Sequence, residues 1–391
     1  MTDATAKGTP AWLGAVNDRA GLSVLLEHGP LTRQRICELV GVSKPTASLI
    51  MQRLITGGFI EERGRLARSA GPSAVVYAAR LDRRLGVAVD LDAAELRARV
   101  VDAAGTDHPV VRRALPADPG ARDAVAELRD AIDEACAAAG ADAASVRTVC
   151  LGIPGYVDPG RDGELFSETL PGWPTRGLHG VLEDALGRDV LIENDVDLAA
   201  LAERALGERE DAFALLWFGN GVGAAFDAAG ELHRGSFGGA GEIGFLPAPA
   251  TAAAIDPGAG TLQDLVGARA VATLASRHGL APGTEPLAGL DDSPARDAIL
   301  AELADRVALA ALPVLAVLDP AALVLAGPTA AAGGDALAAA VQERVRATSR
   351  WYPEVTASAV GDAPVLAGAS VLAQRRVRRA LLDEIAAVGD D

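Results

Sequence analysis

The sequence predicts an α/β fold in two parts: a small winged helix-turn-helix module at the N-terminus, then a larger α/β domain built by internal duplication. Three observations predict it. Apolar residues recur at helical spacing in three short segments before residue 57, and a hairpin pattern follows them. From Leu85 onward the pattern changes to apolar strands mixed with helices. A strand–turn–strand unit near residue 85 also recurs near residue 214.

Residues 12–28 hold Leu13, Val16, Ala20, Leu25 and Leu26 near helical spacing, and Gly29-Pro30 stops that helix. Thr32 caps a short second helix with Ile36, Leu39 and Val40 facing inward. Gly41 turns the chain, and Ser43 caps a third helix whose Pro45 falls in the first turn, where a missing N–H costs nothing. Ala47, Ile50, Met51 and Leu54 form its buried stripe. Pro45, Thr46, Ser48, Gln52 and Arg53 lie on the other face, Lys44 at its N-terminal edge, and Gly57-Gly58 ends it. Two short helices joined by a glycine turn, the second small and polar outside, form the helix-turn-helix pattern. Small outer residues let such a helix enter the major groove of DNA. Arg35, Lys44 and Arg53 are candidates to neutralise phosphates, and Thr46, Ser48 and Gln52 to reach base edges. Residues 59–63, a loop with Arg65 and Arg68, and residues 74–77 read as a hairpin, the wing. Its arginines can follow the backbone or enter the minor groove. The alternative is a small helical bundle used for protein contact.

In the larger part, residues 85–91 read as an apolar strand, 95–101 alternate as a second, and Gly105 turns into a third around Val110. A helix is expected at about 120–139 and a strand at 146–153. Residues 214–219 then form a strand, 221–227 return, and Gly230 turns into Glu231-Leu232-His233. Helices dominate from about 261 to 348, with one strand at 323–326.

A chain of 391 residues, half of them hydrophobic, suits two or three domains with a sizeable core. The expected division is a flexible N-terminus at 1–11, the DNA-binding module at 12–80 and the larger domain at 85–391. Cys37, Cys136 and Cys150 show no CxxC spacing, which argues against a disulfide framework and a cysteine-rich zinc site. No two of the five histidines pair at metal-ligand spacing. There is no signal pattern and no long apolar run; the richest stretch, 307–318, is short and holds Pro313. A reducing, cytoplasmic compartment without membrane contact is expected. The net charge of −17 argues by itself against nucleic acid, but its distribution reverses that reading. Residues 1–84 carry 12 Lys+Arg against 7 Asp+Glu, and the remainder 24 against 46, so the module is +5 and the rest −22.

Six segments stand in an order that carries a resemblance. They are Gly152-Ile153-Pro154-Gly155-Tyr156-Val157-Asp158; Pro171-Gly172-Trp173-Pro174; Ile192-Glu193-Asn194-Asp195-Val196 with Ala199, Ala200 and Glu203; Gly219-Asn220-Gly221-Val222-Gly223; His233-Arg234-Gly235; and Gly238-Gly239-Ala240-Gly241-Glu242-Ile243-Gly244-Phe245. Across essentially its whole length the chain resembles the ROK family (repressors, open reading frames and kinases), and its winged module resembles the xylose and N-acetylglucosamine repressor branch. The resemblance implies an actin-like, hexokinase-like duplicated α/β fold with a cleft between two lobes. It places Asp195 where the family's kinases hold their catalytic base, and matches Asn194 and Glu242 to ligands of sugar hydroxyls. Carboxylates suit that task because each accepts two hydroxyl protons. Read without the family, the residues fit equally a sugar site and a structural role in which Asp195 caps a helix and Asn194 holds a turn.

The departures are informative. The family's first phosphate loop, Asp-x-Gly-Gly-Thr, reads Asp90-Leu91-Asp92-Ala93-Ala94 here, losing the glycines and adding a negative charge. The second, Gly219 to Gly223, has Asn220 where Thr is usual, and Leu325-Ala326-Gly327-Pro328 partly matches the adenosine-side glycine pair. The family's zinc-site His is Phe245 here, and its cysteine segment aligns with 257–263, which has no cysteine. That His and the Glu of the cysteine segment also help hold sugar; Phe245 and Gln263 replace them, so a modified, less polar or phosphorylated sugar is one expectation and an empty site another.

The resulting expectation is a sequence-specific transcriptional regulator, a repressor of carbohydrate genes. It is expected to work as a dimer or tetramer on a double-stranded operator, with a sugar-like effector at Asn194, Asp195 and Glu242 and with no cofactor, metal or catalysis. The alternatives are an ATP-dependent sugar kinase with a regulatory DNA-binding module, and an interaction scaffold with a vestigial cleft.

Overall fold

The computed structural model describes residues 10–66, 73–167, 169–207, 211–228, 230–280, 287, 289–290 and 293–388. The expected flexible segment 1–11 and the wing residue Arg68 therefore lie largely or wholly outside the described residues. The N-terminal module runs α1 (Pro10–His28), β1 (Leu31–Thr32), α2 (Arg33–Val40), α3 (Lys44–Thr56), β2 (Ile60–Leu66) and β3 (Ala74–Ala79). Both short helices start as their sequences dictate. Thr32 accepts the backbone N–H of Arg35, and Ser43 that of Thr46. Ala47, Ile50, Met51 and Leu54 are buried, as the spacing requires. The wing hairpin β2–β3 gains a third strand, β1, paired antiparallel with β3. In α1 the expected stripe is half right. Leu25 and Leu26 are buried with Leu22, but Leu13 and Val16 are 51% and 42% exposed.

The larger domain repeats one topology twice. Its first half contains β4 (Leu85–Leu91), β5 (Glu95–Val101), β6 (Val111–Ala114), α4 (Ala124–Ala139), β7 (Val146–Ile153), the small hairpin β8 (Tyr156–Asp158) and β9 (Glu164–Phe166), α5 (Leu178–Leu186), β10 (Asp189–Asn194) and α6 (Asp195–Ala205). The second half contains β11 (Phe213–Phe218), β12 (Val222–Ala228), β13 (Glu231–Leu232), α7 (Leu262–Val266), α8 (Ala268–Arg277), α9 (Arg296–Leu318), β14 (Ala322–Ala326), α10 (Pro328–Thr348), β15 (Glu354–Ala357) and α11 (Pro364–Val388). The first sheet has the order β6-β5-β4-β7-β10 and the second β13-β12-β11-β14-β15. In each, the first two pairings are antiparallel and the last two parallel. The same order with the same senses is the duplication expected from the repeated strand–turn–strand unit.

Each half ends in a helix, α6 or α11, and these two pack on one another. At their crossing a Cβ on Gly368 would lie 1.8 Å from the carbonyl oxygen of Leu198, so only glycine admits this approach. Leu198, Leu201, Leu366, Ala369 and Ala373 form the apolar seam there.

α11 also completes the N-terminal module. Val377, Leu381 and Ile385 share a buried cluster with Leu22, Leu25, Leu26, Ile36, Ile50, Phe59 and Tyr77. Each such burial contributes roughly 1.5–3 kcal/mol. Polar contacts frame it: Arg19 donates to Leu382 O at 2.8 Å, Glu384 takes Arg83 and Arg84 at 3.2 and 2.9 Å, and Arg378 donates to Ser23 O at 3.4 Å. The expected boundary between 80 and 85 is therefore a boundary in sequence only; the module's core is finished by the other end of the chain. Val365, Ala369, Ala373, Val377, Leu381 and Ile385 recur at i+4. Each step of four passes a full turn by about 40°, so this stripe winds about half-way round α11. Its first half meets α6 and its second the module.

Candidate functional site

The C-terminal ends of the parallel strands in both sheets face one cleft of about 1440 Å³. Open α/β sheets bind ligands at these ends. Asn194 ends β10 and caps α6: its Oδ1 accepts Val196 N and Asp197 N at 2.8 and 3.1 Å, and its Nδ2 donates to Gly155 O at 3.0 Å. The amide expected to hold a sugar hydroxyl is thus largely spent on local structure, which leaves one N–H for a ligand. Asp195 starts α6 at the cleft floor, with Oδ1 accepting Val196 N at 2.9 Å. Burial raises the Asp195 carboxyl to about 7, with the charges of Glu242, Asp90 and Asp92 adding to the rise. Glu242 enters the same cleft from the second half. Its backbone is set by Gly241 at φ 92°, where a Cβ would lie 1.8 Å from Ala224 O. The cleft therefore brings Asn194, Asp195 and Glu242 to one lining.

The loops that the family resemblance aligned with phosphate loops are different. In the turn between β4 and β5, Asp92 Oδ1 accepts the N–H of Ala93 at 2.6 Å, and Asp92 N–H goes to Glu95 O at 2.9 Å. A phosphate cradle needs such amides free and pointing at the ligand. Here a carboxylate already occupies one. Asp90, half-buried near the end of β4, is raised to about 6, chiefly by desolvation. In the second loop, Gln263 bridges two strands' ends: its Oε1 accepts Val222 N at 2.9 Å and its Nε2 donates to Asn220 O at 2.7 Å. Gln263 thus ties α7 to the glycine loop. Phe245 is 68% exposed at the cleft. Among the described residues no group of three or more His, Cys, Asp or Glu is arranged to hold a metal.

On the module, Lys44 and Gln52 are exposed on the outer face of α3, and Thr46 and Ser48 lie half-exposed beside them. Thr46 Oγ1 lies 2.8 Å from Ser43 Oγ, and Ser48 Oγ accepts Arg33 Nη1 at 3.0 Å. Arg65 is exposed on the wing. Arg35 pairs with Glu38 at 3.0 Å. Arg53 points elsewhere: its guanidinium clamps both oxygens of Asp18 in α1 at 2.7 Å, and its role is to lock α3 on α1. Sequence reasoning missed two residues. Arg33, at the start of α2, reaches across to α3, and Leu49 is 53% exposed on the outer face of α3, where its apolar side chain suits a thymine methyl. An apolar residue out of phase with the buried stripe was the available signal for Leu49.

The ROK family model matches residues 86–376. The chain belongs to the ROK family. Among curated ROK relatives it is 26% identical over 241 residues to a putative xylose repressor of Caldicellulosiruptor sp. (strain Rt8B.4), covering 61% of this chain and 60% of that protein. The chain thus spans about three-fifths of the length of that relative. A beta-glucoside kinase of Listeria monocytogenes is 34% identical over 108 residues, 27% of this chain and 37% of the kinase. Among solved structures, a ROK family transcriptional regulator described as a homolog of the E. coli MLC protein aligns over 96% of this chain and 98% of its own, with TM-score 0.68 at 18% identity. A ROK hexokinase from Thermus thermophilus aligns over 75% of this chain and 99% of its own, with TM-score 0.59 at 27% identity. The duplicated ROK fold is shared by all of these. No helix among the described residues is long and apolar enough to cross a membrane.

Proposed function

We propose that this ROK protein is a DNA-binding transcriptional regulator, a repressor of carbohydrate-related genes, controlled by a sugar-like effector in a cleft that no longer transfers phosphate. The observation that carries this reading is α11. Its first turn lines the cleft, its second crosses α6 at Leu198, about one turn on from Asp195, and its later turns complete the core that α3 shares. Any change in lobe closure that moves α11 therefore moves the recognition helix. The comparison with xylose repressors supports the same reading.

Lys44 and Arg65 contact phosphates, Thr46, Ser48 and Gln52 face base edges, and Arg35 and Arg33 flank them. A dimer or tetramer presents two such modules to an inverted repeat. For a full switch the effector must favour one lobe arrangement by several kcal/mol. One feature favours the kinase alternative: a carboxyl near neutrality at the start of α6 suits a general base. The occupied amides of the β4–β5 turn oppose it, and ATP turnover with any sugar is expected to be absent.

The test is capture of sheared genomic DNA by the purified protein at moderate salt, with and without a sugar panel. Enrichment of a few inverted-repeat sites, erased or increased by one ligand, supports the regulator. No enrichment under any condition rejects it.

A further inference from the structure

The cleft lining is predominantly acidic. Besides Asp195 and Glu242, its lining includes Asp90 and Asp92 from the first half and Asp335 and Asp362 from the second. Among the described residues, Asp90, Asp92, Asp195, Asp335 and Asp362 form no ion pair. The single basic lining residue, Arg97, donates to Glu95 Oε1 at 2.6 Å and to Asp362 O at 3.4 Å, and it lies opposite Asp90 in the β4–β5 ladder, so its one charge offsets part of the acid at that end. The acidic excess that remains in a low-dielectric cleft disfavours anions and favours cations.

Three observations narrow the ligand. A phosphorylated one meets Asp92 where its phosphate would need the Ala93 amide. A lone metal ion is ill served, because the carboxylates line the cavity without converging in threes. The wall between them is aromatic: Tyr156 and Phe166 stack with centroids 5.0 Å apart, and Phe245 stands exposed at the rim. Aromatic faces suit the apolar side of a sugar ring and attract an ammonium group. Acid groups spread over a cavity of about 1440 Å³ suit a ligand of one to three rings with its positive charges spread likewise.

We infer that the effector is an amine-bearing sugar or aminocyclitol, a polyhydroxylated ring with at least one ammonium group, held with its hydroxyls toward Asp195 and Glu242 and an ammonium toward Asp90 and Asp92. This rests on the reading of the cleft as an effector site. Neutral sugars meet only the hydroxyl-binding half, and sugar phosphates are repelled.

The experiment is calorimetric titration of the full chain with glucose, glucose 6-phosphate, glucosamine, N-acetylglucosamine, neamine and N-acetylated neamine. At least one amine is expected to bind about tenfold or more tightly than its acetylated form, a preference that shrinks as salt rises from about 0.05 to 0.5 M. Asp92→Asn is expected to cut that preference severalfold and Asp195→Asn to abolish binding. Equal or tighter binding of a neutral or phosphorylated sugar overturns the amine assignment and leaves the effector cleft standing. Amine binding unchanged in both variants places the cation elsewhere on an acidic surface and also overturns it. No binding by any probe rejects both the amine and the effector cleft.

Discussion

Replacing Gly368 with alanine tests whether cleft and DNA module are joined through the α6–α11 crossing. The added Cβ would sit 1.8 Å from the Leu198 carbonyl oxygen, whereas real Cβ contacts stay beyond 3.0 Å. The obstacle is backbone, so the helices themselves must separate by roughly an ångström, an overpacking that costs about 3 kcal/mol. At about 2.1 cal/mol/K per residue, a unit of roughly 300–390 residues then falls in melting temperature by about 4–5 °C. The same separation displaces the start of α6, and with it Asp195, from Glu242. Calorimetric melting would give the first number. Operator binding by fluorescence anisotropy, with and without effector, would give the second. The expected pattern is a destabilised protein that still binds operator but whose affinity changes less than threefold on adding effector. A Gly368→Ala protein as stable as the parent, with the full effector response, would refute the coupling.

Other expectations are more local. Asp195, raised to about 7 by burial and its acidic neighbours, contributes stability that is complete below its unfolded value near 4 and is lost as pH rises through 7. Asp195→Asn should therefore gain on the parent by about 1–2 kcal/mol between pH 5 and 8, the full shift being discounted for partial exposure to the cleft; a pH-independent difference in melting temperature would contradict this. Lys44→Ala and Arg65→Ala should each reduce the salt slope of DNA binding by about one. Arg53→Ala should instead destabilise the module by about 1–3 kcal/mol through the stranded Asp18 and leave that slope unchanged; the slopes of log Kd against log salt decide between the two roles. Cys150, fully buried and with its thiol pushed far up by burial, should resist maleimide in the native protein along with buried Cys136, while half-buried Cys37 reacts; mass spectrometry after brief labelling reads this.

Much of this was written locally in the chain. The caps at Thr32 and Ser43, the stripe from Ala47 to Leu54 and the strand at Val146–Ile153 all follow from spacing that one element can satisfy by itself. The expected helix at 120–139 begins at Ala124, because Pro119 first makes a short 3-10 turn and Asp123 supplies the cap. Leu13 and Val16 look buried by spacing, yet the core they would meet reaches only the C-terminal half of α1. β15 and α11 went unread, although the i+4 recurrence from Val365 to Ile385 was there to find; a stripe that winds round a helix has no single face. At the cleft, the family resemblance put Asp195 and Glu242 together, but only geometry shows Asn194 turned to capping and Asp92 seated on the Ala93 amide. Arg53 had the right charge on an outward position, and its partner lay in another helix.

The winding of that stripe bears on the order in which a new chain becomes competent. The N-terminal module leaves the ribosome before α11 does, and local folding can begin there. Its apolar underside, Leu22, Leu25 and Leu26, stays open to water until Val377, Leu381 and Ile385 arrive from the last helix. That helix packs on α6 and on β4, β5 and β7, so those elements of the first half must be in place to hold it. On the proposed function, operator recognition follows the docking of α11, and a product that stops before that helix makes a poor competitor for the operator. A chain stopped at residue 362, made alongside the intact protein, should leave operator occupancy unchanged in a footprint; displacement of the intact protein would show that the N-terminal segment folds and binds unaided.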